Sequence, residues 1–402
     1  MKTLRKKIGA MQFLACASML LPASANASDD QIGIGYLHTF EKSRVTISVL
    51  DQAPENLGVA GAEVGINDNN TTGRFIGQKF SLEDIKLVPG SDIIPSLDKL
   101  YEQGFRFMVL DVSADDVLKT ADHFKALDVL IFNAGARDDR LRNEDCRANV
   151  IHTAPSRAIL ADGLAQYLIW KKWRTWFLIS GSNEADTLFA TALRRAAKRF
   201  GAKIVTEKEY VDTGGARQTD SGHAQVQKQM PVFTQDAEDH DVVVVADESD
   251  VFGTYLPYRT WLPRPVTGSA GLQPQSWHPS FEGWGAAQIQ NRFAKHAGRR
   301  MQGIDMQAWT AVRIVGEAAT RTQSIEPQKI ENYIKDPEFS IAAFKGQKVT
   351  IRSWNQQLRQ PVLLADGKNV VSISPQDGFL HQFSELDTLG FDKPESGCSL
   401  QE

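Results

Sequence analysis

Four consecutive valines, Val242 to Val245, stand between Asp241 and Ala246 with no polar residue among them. A strand turns successive side chains to opposite faces, so an unbroken β-branched run needs apolar cover on both sides. Helices packed on both faces of a parallel sheet supply that cover. A one-sided antiparallel sheet does not.

The rest of the chain repeats the same logic. Ile32 to Leu37, Phe105 to Asp111, Asp128 to Phe132, Arg174 to Ser180 and Ala202 to Tyr210 read as strands. Between them, Ser91 to Gly104, Ala114 to Ala126, Ala154 to Lys172 and Asn183 to Phe200 carry apolar residues at helical spacing. Short strands alternating with amphipathic helices give a doubly wound α/β sheet. With 402 residues the chain exceeds what one core usually fills, so two such sheets are expected. Pro279 to Ala297 and Asp305 to Thr322 follow as two long helices, and Gln347 to Ile351 and Pro361 to Leu364 as short strands of a final antiparallel region.

Ile66 to Phe80, INDNNTTGRFIGQKF, is the most sharply punctuated stretch. Leu57 to Ile66 has helical spacing, Asn67 to Thr72 favour turns and caps, and Gly73 suits a left-handed stop before the next strand. The expectation is a helix that ends near Ile66. The Asn/Asp cluster lacks the alternating ligands and terminal Glu of a calcium loop. The glycines of Ile32-Gly33-Ile34-Gly35 have no third glycine and no helix directly after them, so they read as tight packing rather than a phosphate loop.

The first residues are set apart. Lys2, Arg5, Lys6 and Lys7 precede an apolar run, Ile8 to Leu21, and Ala25-Asn26-Ala27 offers a cleavage site, so residues 1–27 are expected to be a secretory signal peptide. A lipoprotein signal using Cys16 fits less well, since the apolar run continues past it. No other run approaches membrane-spanning length. Removing the four basic residues from 45 Lys+Arg, set against 49 Asp+Glu, leaves a formal charge of about −8, which argues against nucleic acid as a partner. The mature chain is expected to be periplasmic, monomeric and not inserted in the membrane. It has no G-x-S-x-G, H-E-x-x-H or C-x-x-C, and its histidines are scattered singly, so neither an enzyme nor a cofactor or metal is expected.

The order of the segments GYLHT, GAEVGINDNNTTGRFIGQKFSL, GFRFMVLD, LDVLIFNAGA, NVIHTAPSRAILADGLAQYLI, WFLISGSNEADTLFATALRRAAKRFGAKIV, VTGSAGL and GIDMQAWTAVRIVGEA resembles the type I periplasmic binding proteins of the leucine/isoleucine/valine receptor family. The insert Phe40 to Asn56 and the wording DNNTTGRFIGQ resemble, more narrowly, the branch associated with quinoprotein (pyrroloquinoline quinone-dependent) alcohol oxidation. The resemblance implies two doubly wound parallel-sheet lobes joined by a hinge. Lobe one would comprise 28–153 with 273–335, and lobe two 154–272 with 336–402. A small-molecule ligand would be trapped between them and closure read by ABC permease subunits. Alternatives on the same fold are a periplasmic sensor or carrier partnering a signalling protein or quinoprotein dehydrogenase, and a branched-chain amino-acid receptor.

By that resemblance, Ser113 and Ala114, opening the helix after the third strand, and Gly135 and Ala136, in the loop after the fourth, would meet the ligand. Ser113 reads equally as a plain helix cap. Arg137 could grip an anion or pair with Asp138 or Asp139, and the surface pairing is preferred. In lobe two, Asp186 stands near where amino-acid receptors wall the pocket with an aromatic ring. Asp247 and Glu248 follow the valine strand, and Ser269 and Ala270 the next. Ala270 falls near the acid that holds an α-amino group, so an amino-acid ligand is disfavoured unless Asp247 or Glu248 replaces it. Four tryptophans, Trp261, Trp277, Trp284 and Trp309, lie in the segment returning to lobe one, and Trp277 is the one placed to reach the cleft. Cys146 and Cys398 remain as an even pair, open to a disulfide tying the tail to lobe one, although the sequence does not place them within bridging distance.

Overall fold

The structure is a computed structural model that describes residues 30–39, 53–211 and 225–400. The expected signal peptide, residues 1–27, and the apolar run Val45 to Leu50 of the insert, which reads as a strand candidate, lie outside the described residues.

The first sheet is built from β1 (Asp30–Thr39), β2 (Gln78–Leu87), β3 (Phe107–Asp111), β4 (Leu130–Asn133) and β5 (Val150–His152), all parallel, in the order β2-β1-β3-β4-β5. Its strands alternate faces residue by residue. Ile32, Ile34, Tyr36, Phe107 and Val109 pack with α1 (Val59–Gly73), while Leu37, Met108 and Leu110 pack with α2 (Ile94–Glu102) and α3 (Ala114–His123). Gly33 is small because a Cβ there would lie 2.8 Å from the Phe105 ring, the tight-packing reading of this strand.

Lobe two begins with α4 (Arg157–Trp170), β6 (Thr175–Gly181), α5 (Glu184–Phe200) and β7 (Lys203–Tyr210), and continues with α6 (Val226–Thr234), β8 (Val242–Ala246) and β9 (Val266–Gly268). The sheet order is β7-β6-β8-β9, again parallel. The four valines behave as their run requires. Val242 and Val244 join the core with α4 and α5, and Val243 and Val245 join the one with α6.

The chain then returns through β10 (Gln273–Gln275) to α7 (Ala286–Ala297) and α8 (Gly303–Thr322), which pack in the first-lobe core. After α9 (Pro327–Lys335) come β11 (Ile341–Ala342), β12 (Lys348–Ile351), β13 (Leu358–Arg359), β14 (Val362–Ala365) and β15 (Val370–Ser374). Phe339, Ile341, Val349 and Leu358 belong to the first-lobe core, so the last crossing falls later than residue 335. It runs through β14, where Leu363 packs into lobe one and Val362 and Leu364 into lobe two. Strand β10 pairs with β14, and the backbone N–H of His152 donates to the Gln356 carbonyl at 3.0 Å. The crossings therefore lie side by side as a hinge.

The helix expected to end near Ile66 runs to Gly73 instead. Its polar residues dock rather than stop it. Asn69 is buried and donates to the Val312 carbonyl of α8 at 2.9 Å, Asp68 accepts from the Trp309 indole, and the Asn70 amide pairs with both Phe80 N–H and Phe80 C=O. Tertiary hydrogen bonds overcome the weak helix propensity of Asn, Asp and Thr. Gly73 is not left-handed. The turn is made at Gly77, with φ +71°.

Candidate functional site

In open parallel sheets ligands settle at the carboxyl ends of strands. A cleft of about 540 Å³ lies there between the lobes, with Arg137 and Pro155 on one side, Asp247, Glu248, Gly268 and Ser269 on another, and Gln275, Ser276 and Trp277 along the hinge. Leu57 and the first residues of α8, Gln302 to Ile304, close it from lobe one, and Leu160 and Phe189 from lobe two. A groove of 560 Å³ at Val129, Asn149 and Cys146 sits at the amino ends of β4 and β5, the wrong side for such a site.

Of the residues expected to meet ligand, Arg137, Asp247, Glu248, Ser269 and Trp277 line this cleft, and Ser113, Ala114, Gly135, Ala136, Asp186 and Ala270 do not. Ser113 caps α3: its Oγ accepts from Asp116 N–H at 3.1 Å and donates to the Asp116 carboxylate at 2.8 Å. Ala114 and Ala136 are core residues of the α2/α3 face. Gly135 makes room for the Asp111 carboxylate, which would stand 2.3 Å from a Cβ. Burial pushes Asp111 up to about 6, against the pull of His38, the Tyr36 hydroxyl and Arg137. Asp186 is buried at the start of α5 and accepts from Ser249 N–H at 2.9 Å, tying one lobe-two loop to the next. Ala270 is buried in the core with Val266 and Phe252.

The Arg137 pairing differs from expectation. Its partner is Glu248 of the other lobe, at 3.6 Å, and neither Asp138 nor Asp139. Glu248 is itself held by Arg157 Nε at 2.7 Å, and Arg157 also donates to Asp138 at 2.9 Å. Burial works against the Arg157 charge, but Glu248 and Asp138 more than offset it and hold its guanidinium above the ordinary range. Arg137, by contrast, is nearly half exposed, with 46% of its side chain open.

Asp247 is consumed locally. Its carboxylate accepts the N–H groups of Val251, Phe252 and Gly253 at 2.8, 2.8 and 2.6 Å, which shapes the loop after β8. Burial raises its pKa although these donors oppose the shift. Trp277 is 1% exposed, meets Phe281 edge-on, and its indole N–H has no hydrogen-bond partner.

Sequence reasoning missed Arg142 and Arg157. Arg142 is buried and donates to Gln357 Oε1 and to the carbonyls of Ala136, Asp138 and Ala154, locking the loop after β4 to the hinge. Nothing in its neighbourhood, Asp139 to Asn143, marks it off from a surface arginine. Arg157 had a usable signal, an arginine directly after the cap Ser156 where a helix N-terminus disfavours positive charge.

Among the described residues no helix is long and apolar enough to cross a membrane. No group of three or more His, Cys, Asp or Glu side chains among them converges as metal ligands would.

Residues 57–241 match the model of the periplasmic binding protein family. No curated protein matches the chain in sequence. Solved structures share its fold: the leucine-, isoleucine-, valine-, threonine- and alanine-binding protein from Brucella ovis, in a closed conformation, superposes with a TM-score of 0.69 at 15% identity, covering 93% of this chain and 100% of that one. A branched chain amino acid ABC transporter ligand-binding protein from Burkholderia xenovorans LB400 gives 0.66 at 17% identity, over 85% and 95%. A solute-binding protein from R. palustris in complex with 4-hydroxybenzoate gives 0.60 at 11%, over 87% and 94%. The fold is thus the type I periplasmic binding protein fold, α/β with two parallel sheets, and the matched family is one of binding proteins rather than enzymes.

Proposed function

We propose that the chain is the periplasmic solute-binding receptor of an ABC transporter and that its ligand is a small organic anion without an ammonium group, held in the interlobe cleft. The charge inventory of the cleft carries this reading. Asp247 is used by three backbone N–H groups and Glu248 by Arg157, whereas Arg137, among the described residues the one cationic side chain lining the cleft, is half-exposed and engaged only at 3.6 Å. Asp250, a third acid lining the cleft, is exposed to solvent, so an ammonium buried in the cleft would lack a dedicated buried partner, at a cost of several kcal/mol. A carboxylate would meet a guanidinium able to take it bidentately. Leu57, Leu160, Phe189, Ile304 and Trp277 supply apolar walls for a hydrocarbon or aromatic body. That one structural relative holds 4-hydroxybenzoate and another from the same source holds benzoate agrees with this class. A tie to quinoprotein alcohol catabolism, where alcohols end as carboxylates, rests on the wording DNNTTGRFIGQ and the insert before it.

The test is a thermal-shift and calorimetry panel of benzoate, 4-hydroxybenzoate, short aliphatic carboxylates, the parent alcohols, leucine and valine. A carboxylate should raise the melting temperature, and Arg137→Ala should weaken it by about 10- to 100-fold through loss of charge-assisted hydrogen bonds. Leucine or valine binding more tightly than every ammonium-free carboxylate in the panel would overturn the proposed ligand class, whatever the effect of Arg137→Ala.

A further inference from the structure

We propose that the C-terminal segment, residues 388–398, is a covalent strap that sets how far the two lobes can open. Its first half is fixed to the hinge, where the buried Arg352 donates to the Leu386 and Leu389 carbonyls at 2.8 and 2.7 Å, and to lobe two. Leu389 lies in the core with α4 and α5, and Gln166 of α4 donates to Thr388 Oγ1 at 2.9 Å. Gly390 N–H donates to the fully buried Asp162 carboxylate at 2.8 Å, and its carbonyl accepts from Arg195 at 2.9 Å and from Arg199. Arg195 also covers the Phe391 ring at 4.1 Å and pairs with Glu395 at 3.3 Å.

From the residue after Glu395 the chain is fixed to lobe one. Ser396 Oγ donates to the Arg142 carbonyl at 3.3 Å, Gly397 N–H donates to Asn143 Oδ1 at 3.2 Å, and Cys398 is disulfide-bonded to Cys146. Between the two anchorages lies a groove of about 540 Å³, walled by Asp138 to Glu144 of lobe one and by α5 of lobe two, with Phe391, Glu395 and Gly397 at its edge. The tail therefore bridges a gap between lobes rather than lining a core.

The covalent link makes this bridge more than another surface contact. Hydrogen bonds and the Arg195 ion pair exchange with water as the lobes part, but the disulfide does not. From Glu395 to Cys398 an extended chain reaches about 10 Å, and from Gly390 about 28 Å. Opening on this flank is thus bounded by the first length while the Arg195–Glu395 pair holds, and by at most the second once that pair and the Arg352 and Trp354 bonds to the Phe391 carbonyl release. In this way the strap limits how far a ligand-free receptor gapes and keeps it near its closing geometry, a saving in the conformational cost of capture.

The proposal concerns lobe motion and is tested without ligand, so its failure is separable from that of the ligand class. Small-angle scattering of the ligand-free full-length mature protein is compared for wild type, the Cys146→Ser/Cys398→Ser pair, and a variant with six Gly/Ser residues inserted between Glu395 and Ser396 that retains the disulfide. Both variants should expand, by about 1 Å on the roughly 21 Å radius of gyration of a compact chain this long. Faster amide exchange should accompany this at 138–144. If the serine pair does not fold, the insertion variant decides alone. Wild-type compactness in the insertion variant overturns the strap, since it would show that the bond acts through local stability and not through its reach.

Discussion

Lys345 offers the sharpest quantitative test of how the hinge is built. Its side chain is buried, 5% exposed, and donates to Gln360 Oε1, while the Gln360 amide donates to the Thr153 carbonyl at 2.9 Å. The lysine thus links lobe one to both the first and the last hinge crossing. Among the described residues no carboxylate pairs with it, and desolvation alone brings its pKa down to about 7 from 10.5. A lowered lysine pKa means that the folded state holds its proton less tightly than the unfolded chain. Between pH 7 and 10.5 the unfolded state then binds more protons, so stability must rise with pH across that window. Integrating the two titrations gives a rise of about 3 kcal/mol between pH 7 and 9.5 from this residue. In Lys345→Met the rise should disappear, although the variant also leaves Gln360 Oε1 without its donor and loses about 1–3 kcal/mol at every pH. Urea denaturation of wild type and variant at both pH values yields the double difference, in which the other lysines and tyrosines cancel. An equal pH dependence in the two proteins would refute the account, because the ammonium would then be neither desolvated nor unpaired as the hinge geometry requires.

Further outcomes follow from the site. Ser113→Ala should leave ligand affinity unchanged and cost about 1 kcal/mol of stability through loss of the α3 cap, as chemical denaturation and calorimetry together would show. Asp247→Asn should destabilise by about 2–4 kcal/mol, since an amide cannot accept all three N–H groups, and hydrogen exchange should speed up at 251–253. Gly61→Ala should lower the melting temperature strongly, because a Cβ there would lie 2.0 Å from the Asp305 carbonyl where α1 crosses α8.

The sequence by itself determined the fold class. Val242 to Val245 demanded apolar cover on two faces, and the periodicity of the neighbouring segments said which residues would supply it. Such information is local, because a strand or an amphipathic helix writes its own burial into its residue spacing. It also placed Asp247, Glu248 and Ser269 in loops at the carboxyl ends of strands, where a cleft could use them.

What each of those residues does there was decided by tertiary structure. The length of α1 depended on Val312, Trp309 and Phe80, which accept or donate to Asn69, Asp68 and Asn70 from outside the helix. Whether Asp247 offers a carboxylate to a ligand depended on the loop bending back to present three N–H groups to it. Arg137 found Glu248 across the cleft, 111 residues away, although Asp138 is its next neighbour in the chain. Cys146 and Cys398 meet across 252 residues because the tail passes over α4 and α5 first. Hydrogen bonds and ion pairs act over a few ångströms of space, and residue spacing records a partner only when it lies within the same helix or strand.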